Sequence, residues 1–324
     1  MTILHAVAPP PPLDHSGRAA TTRRRALRLR ESVTAFLLRV CAFSAVAGLL
    51  LIMVFVFREA LPVLVDPVTR HEVGVSRIFA TPLWQPVGNL PKYGLVPLVV
   101  GTLKVVLVAM VVAVPLGILS AVFASEFAPT RIREALKPVI EILAGIPSVV
   151  LGFFALIVMA SWLQAVTGSP SRLNAVNAGI ALALGIVPTI FSVSEDALRA
   201  VPRSFREASL ALGASPWQTA WNVTLPAAGA GVAAGILLGL ARAVGETMIV
   251  LMASGNAAIT SGDVFDSVRT LSATIAAEMA EVVVGSPHYA ALFFLGAILF
   301  VTTFFINVFA GVFVERLRRR LAGA

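Results

Sequence analysis

EASLALGASPWQTAWNVTLP, Glu207 to Pro226, reads as two short helices around a tight turn. Glu-Ala-Ser-Leu-Ala-Leu is built of helix formers, and Gly213 stands where a helix C-terminus favours a left-handed residue. Ser215 is placed as the N-cap of the next helix, with Pro216 at its first position. Trp217 and Trp221 lie four apart, on one face of that second helix, and Pro226 closes the segment. From Ala208 to Ala241 there are 34 residues without a charge. That is longer than the ~20 residues needed to cross about 30 Å of hydrocarbon, so part of the block lies outside the bilayer. A small helix–turn–helix with exposed apolar residues suits insertion into a groove on another protein.

Composition shows what this unit projects from. Of 324 residues, 58% are hydrophobic and 13% charged, with a mean hydropathy of +0.90; soluble domains carry roughly 25% charged residues. The apolar residues form long blocks, which indicates an all-α polytopic membrane protein and not a barrel of alternating strands. Six transmembrane helices are expected, near 38–57, 96–123, 142–165, 174–194, 228–253 and 289–314. Residues 1–37, with prolines at 9–12 and RRRALRLR at 23–30, read as a disordered basic tail. This polar lead is too long for the n-region of a signal peptide. The transmembrane domain then takes 38–324.

The net charge of +8 comes from basic residues that flank apolar runs, a pattern of membrane topology and not of nucleic-acid binding. With the N-terminus inside, the inner segments carry sixteen Lys and Arg and the outer segments six. Both termini and the 199–226 loop are therefore expected on the cytoplasmic side. The outer loops, 58–94 and 254–288, are candidate docking surfaces for an extracytoplasmic partner, or solvated connectors. One cysteine, Cys41, and four scattered histidines give no disulfide, metal site or cofactor site. No GxxxxGK[ST] loop and no nucleophile–base arrangement are present. The chain is expected to be no enzyme by itself.

LARAVGETMIV, Leu240 to Val250, places Arg242 and Glu246 inside an apolar run. A charge at mid-helix costs about 2.5–3.5 kcal/mol on insertion scales, so both must face protein or water. Arg242 is expected near mid-membrane, with Glu246 four residues on and on the same helix face. The pair either forms an internal salt bridge that pins packing or lines a substrate path. The planar fork of arginine suits an oxyanion. Phosphate near neutral pH keeps a proton that a carboxylate can accept, whereas fully ionised sulfate would be repelled. Lys104, in the second span, either lines the path or snorkels.

The Glu207–Pro226 loop resembles the signature of binding-protein-dependent ABC importer permeases: Glu-Ala-small, three residues, Gly, nine residues, aliphatic, one residue, Leu-Pro. Glu207, Ala208, Ser209, Gly213, Val223, Leu225 and Pro226 fill these positions, with Ser209 in place of the usual alanine. The resemblance covers roughly 95–315 and implies a type I importer architecture, with the loop docking on a cytoplasmic ATPase. Within that family the chain is similar to phosphate-specific permeases of the PstC type. AGIPSVVLGFFAL at 144–156, GLARAVGETMIVLMASGN at 239–256 and LSATIAAEMAE at 271–281 carry this likeness. The resemblance implies that Arg242 and Glu246 act in phosphate passage. It also implies a sister permease (PstA), two copies of an ATPase (PstB), an extracytoplasmic phosphate-binding protein (PstS) and a bacterial plasma membrane location. Alternatives are a permease for molybdate, sulfate or phosphonate, the PstA-type sister subunit, or an ion-coupled secondary transporter.

Overall fold

The computed structural model describes residues 16–322, with side chains described from Val33 to Arg320. The chain divides into two units, residues 1–55 and 56–324.

Helix α1 runs from Ser16 to Ala60. The expected disorder of residues 1–37 is therefore corrected for 16–37, which are helical. Ala, Leu and Arg dominate this stretch and no proline interrupts it, so helical bonds propagate from the span outward. Residues 1–15, with the proline run, lie outside the described residues. Between Val33 and Val54, α1 exposes apolar side chains such as Phe36, Phe43 and Leu51, as suits a helix in hydrocarbon.

In the second unit, α2 (Pro62–Val65), α3 (Pro67–Val73) and α4 (Val75–Ala80) precede a two-residue antiparallel ribbon, β1 (Trp84–Gln85) with β2 (Lys92–Tyr93). Asp66 caps α3 by accepting from the backbone and hydroxyl of Thr69, and these bonds hold its carboxyl below the usual range. The second span is α5 (Val96–Val122), extended by a π-helical turn over Phe123–Phe127. An amphipathic helix, α6 (Thr130–Gly145), follows.

The third span begins later than the expected 142. Ile146 is extended before Pro147, which closes α6 and lets α7 (Ser148–Phe154) start a new axis. A π turn over Ala155–Met159 and α8 (Ala160–Thr167) complete that span. The fourth, α9 (Ala175–Ala200), runs six residues past the expected 194. Then come α10 (Arg203–Ala211), α11 (Pro216–Thr219), a π turn over Ala220–Thr224 and α12 (Leu225–Ala227). At Ala228 the axis turns by 71° into α13 (Gly229–Gly245). Helices α14 (Met248–Ala253), α15 (Leu271–Glu278) and α16 (Pro287–Ala322) end the chain.

Among the described residues, five helices are long and apolar enough to cross a membrane, and six if the bent stretch Pro216–Gly245 counts as one. The 17 residues of α13 reach only about 26 Å; α14, beyond a break at Glu246–Thr247, supplies the rest. This break corrects the expectation of one continuous fifth helix over 228–253.

Helices α5, α9 and α13 form the centre, around Val105, Ala109, Leu182, Ile186, Ile190 and Ala243. Small residues let them approach closely. A Cβ on Gly179 would lie 2.5 Å from Val108, and one on Gly239 would lie 2.8 Å from Ile190. Two of the three π turns have arginines on their freed carbonyls. Arg172 donates to Leu156 O at 2.5 Å, and Arg133 donates to Ala124 O and Ser125 O. In a medium without water such groups need protein partners. Alternation of the spans puts α6 and the α10–α12 unit on one face of the membrane domain; the 58–94 and 254–288 loops lie on the other.

Candidate translocation path and docking loop

Arg242 lies near the end of α13, on the side away from the core. Val232, Gly235, Gly239 and Ala243 are buried against α9 and α5, while Leu238, Arg242 and Gly245 form the exposed stripe. Arg242 Nη1 donates to Thr189 Oγ1 of α9 at 3.0 Å. Glu246 is not on the same helical face. α13 ends at Gly245, and Glu246 is extended, with φ −67° and ψ 135°. Its carboxylate accepts from Thr247 N at 3.1 Å, and among the described residues no ion pair joins it to Arg242. Gly245 and the extended Glu246 interrupt the helix, and tertiary contacts stabilise the break. Ser272 Oγ, at the start of α15, donates to Glu246 O at 2.7 Å, and Thr247 Oγ1 donates to Gly245 O at 3.3 Å. Irregular backbone at membrane depth persists only where such partners or a water-lined cavity satisfy it.

Lys104 is held elsewhere. Its Nζ donates to the carbonyl of Asp263 at 2.6 Å. Two residues earlier on α5, Thr102 Oγ1 accepts from Leu271 N at 3.1 Å. A Cβ on Gly101 would come within 2.2 Å of Arg269 O. The segment leading to α15 therefore rests directly on α5, and Lys104 fastens the loop before it.

On the same face Glu278 gathers Trp84 Nε1 at 3.1 Å, Arg269 Nη1 at 2.7 Å and His288 Nε2 at 2.8 Å. Burial pushes this carboxyl up. The bonds from His288 and Trp84 and the charge of Arg269 outweigh burial and leave it below the usual range. Burial, with the carboxylates of Glu72 and Glu278 nearby, pushes the Tyr93 phenol up to about 12. No local pattern marks Glu278, because its partners are up to 194 positions away.

The α10–α12 unit has the expected local geometry. Leu212 caps α10, and Gly213 follows in the left-handed region with φ +86°. Ser215 caps α11 in a reciprocal capping box with Gln218, and Pro216 takes the first position. The rings of Trp217 and Trp221 are 5.5 Å apart. Glu207, Ala208, Gly213 and Pro226 are exposed, and Val223 and Leu225 half-buried. Ser209 shares a hydrogen bond with the buried Thr219 at 2.9 Å, which ties α10 to α11.

A pair absent from the sequence reading fixes this unit to the spans. Arg206 of α10 grips Glu126 with Nε at 3.0 Å and Nη2 at 2.8 Å, and donates to Val201 O and Leu198 O at the end of α9. The partners are 80 positions apart, and no local spacing announces them.

Residues 113–320 match the family model described as the binding-protein-dependent transport system inner membrane component. The chain is 40% identical to a probable ABC transporter permease protein, YqgH, of Bacillus subtilis, over 71% of this chain and 75% of that one. It is 34% identical to the phosphate transport system permease protein PstC of Xylella fastidiosa, over 76% and 81%, and to PstC 1 of Mycobacterium tuberculosis, over 72% and 75%. Among solved structures, a bacterial alginate ABC transporter covers 86% of this chain and 94% of its own, with a TM-score of 0.57 at 12% identity. The MetNI methionine ABC transporter, in an inward-facing form, covers 69% and 97%, with a TM-score of 0.53 at 19% identity. At these identities the two structures speak for the fold alone. The family match over most of the chain and the similarity to three permeases place this protein in the binding-protein-dependent transport system inner membrane component family.

Proposed function

We propose that this chain is a PstC-type permease subunit of an ATP-driven importer of inorganic phosphate. In this reading it pairs with a PstA-type sister permease in the bacterial plasma membrane, with both termini and the α10–α12 unit cytoplasmic. Two PstB-type ATPase copies dock on that unit, and a PstS-type binding protein delivers phosphate from outside. Glu207, Ala208, Ser209, Gly213, Val223, Leu225 and Pro226 belong to the docking unit. Arg242 and Glu246 belong to the path, whereas the bond of Lys104 to Asp263 O favours a role in fastening the outer loop.

The observation that carries the reading is the state of Arg242. Its guanidinium sits on the exposed stripe of α13 and has one hydroxyl partner and no carboxylate among the described residues. Its remaining donors are unspent, and a planar fork with free donors suits an oxyanion. Glu246 follows the break after Gly245 on irregular backbone, and in this reading its carboxylate accepts the proton of hydrogen phosphate and disfavours sulfate. Motion has a short route to the site: the 71° bend at Ala228 joins the docking unit directly to α13.

The test is phosphate uptake by Arg242→Gln in cells lacking other phosphate importers. Uptake is expected to fall steeply at unchanged membrane protein level, and wild-type uptake would sink the proposal. Growth rescue on limiting phosphate, compared with molybdate, sulfate and phosphonate, separates the oxyanions. A requirement for the ATPase separates this reading from an ion-coupled transporter.

A further inference from the structure

A cavity of about 540 Å³ opens between the end of α9, the π turn over Phe123–Phe127 and the start of α10. Arg133, Arg199, Arg203 and Arg206 line it, with Glu126 and Glu207. Four guanidinium groups against two carboxylates leave a surplus of two positive charges on the wall.

The donors divide unequally. All three nitrogens of Arg206 are spent, on Glu126 and on the Leu198 and Val201 carbonyls. Arg133 uses Nε and Nη2 on carbonyls of the π turn and its exit, leaving Nη1. Arg199 holds Glu195 through Nε and keeps both terminal nitrogens. Arg203 has no acceptor among the described residues. The cavity thus offers the forks of Arg199 and Arg203, one on each side of the bend between α9 and α10.

Its depth narrows the choice of ligand. The lining residues sit where α5 and α9 end, beyond the apolar stretches of both spans. A phosphate group there presents several acceptor oxygens, which two guanidinium forks can take in pairs. A cavity of this volume also has room for a headgroup stem or for waters around a free ion.

We propose that this cavity binds a phosphate group, of an anionic lipid headgroup or of free inorganic phosphate, through Arg199 and Arg203. The bound group bridges the last turn of α9 to the first turn of α10 and stiffens the joint between the spans and the docking unit. The site is separate from the Arg242 path and does not depend on the substrate assigned to the transporter.

The experiment uses the full chain in phosphatidylcholine nanodiscs, with phenylglyoxal modification of each arginine followed by peptide mass spectrometry. Inorganic phosphate is titrated into one arm, and phosphatidylglycerol is built into the discs of the other. Arg131, exposed on α6 and outside the cavity, is the internal control. At ten times Kd, modification of Arg199 and Arg203 is expected to slow roughly tenfold by mass action, while Arg131 is unaffected. Protection by added phosphate assigns the free ion, and protection by phosphatidylglycerol assigns the headgroup. Arg203→Gln, which breaks no ion pair among the described residues, is expected to remove the protection of Arg199 at unchanged thermal stability, whereas Arg199 also holds the buried Glu195. Equal rates at Arg203 and Arg131 in both arms overturn the proposal. Protection that requires added ATPase subunits also overturns it, since an acidic side chain of that partner then fills the cavity. No arm measures transport, so a failure here is distinct from a failure of the phosphate-import reading.

Discussion

Truncating Arg206 to alanine removes the clamp between α9 and the docking unit. The side chains of Arg206 and Glu126 are 22% and 9% exposed, so the pair is largely desolvated. Breaking a buried pair from one side costs about 3–5 kcal/mol, because the other charge is left stranded. Here Glu126 would keep only the Ser125 hydroxyl at 2.9 Å, and the Leu198 and Val201 carbonyls would lose donors. Partial exposure of Arg206 lowers the expectation to about 3 kcal/mol. At roughly 2–4 °C per kcal/mol for a large domain, the apparent Tm in detergent should fall by about 6–12 °C, compared at one scan rate. Glu126→Ala should cost less, about 1.5–3 kcal/mol, because Arg206 keeps its carbonyl bonds. The double variant should be less destabilised than the sum of the two, with a coupling on the order of 2 kcal/mol. Arg206→Lys should fall between wild type and alanine, since a point charge cannot reach all four acceptors. If the importer proposed above is assembled with Arg206→Ala, ATP hydrolysis by the partner ATPase should persist with reduced uptake per ATP, because the α10–α12 unit is no longer clamped to the spans. Single effects that add within about 0.5 kcal/mol would refute the clamp.

Three further outcomes follow from particular contacts. Gly213→Val places a branched residue at φ +86° with open space around its Cβ. The penalty is backbone strain of about 1–2 kcal/mol confined to an exposed turn. Membrane levels should therefore hold while co-purification of the ATPase and uptake fall; normal association and uptake would contradict the role of the turn. Gly101→Ala drives a Cβ to within 2.2 Å of Arg269 O, and overpacking of about 1–3 kcal/mol should lower the apparent Tm; an unchanged Tm would show that the loop does not rest on α5. Glu278 titrates below its ordinary value of 4.5 in the folded protein. Its stabilisation is complete above that value and is lost as pH falls through the folded pKa. Tm measured against pH should thus drop on acidification in the wild type, and the drop should be smaller in Glu278→Gln; parallel curves would remove Glu278 from the network with Trp84, Arg269 and His288.

Hydropathy blocks and short-range spacing determined the fold class and the local geometry of the α10–α12 unit. Gly213 at φ +86°, the Ser215–Gln218 capping box and the Trp217–Trp221 contact all involve residues within a few positions of one another. Their geometry depends on bonds that a helix terminus makes with itself. Span ends were less legible where local and global forces competed. Pro147 split α6 from the third span, and helix formers carried α1 out to Ser16.

The tertiary structure alone decided where each charge finds a partner. From spacing, Arg242 and Glu246 belong on one helical face. In the folded chain Arg242 turns to Thr189, and Glu246 sits past the end of α13, its carbonyl held by Ser272. Lys104 reaches Asp263, 159 positions away, and Arg206 reaches Glu126 across 80. Helical period reports which side chains share a face. Whether a helix continues through Gly245 and Glu246 depends on whether another segment arrives to bond the freed backbone. Such donors and acceptors come from spans brought together by close packing, and no local pattern encodes their arrival.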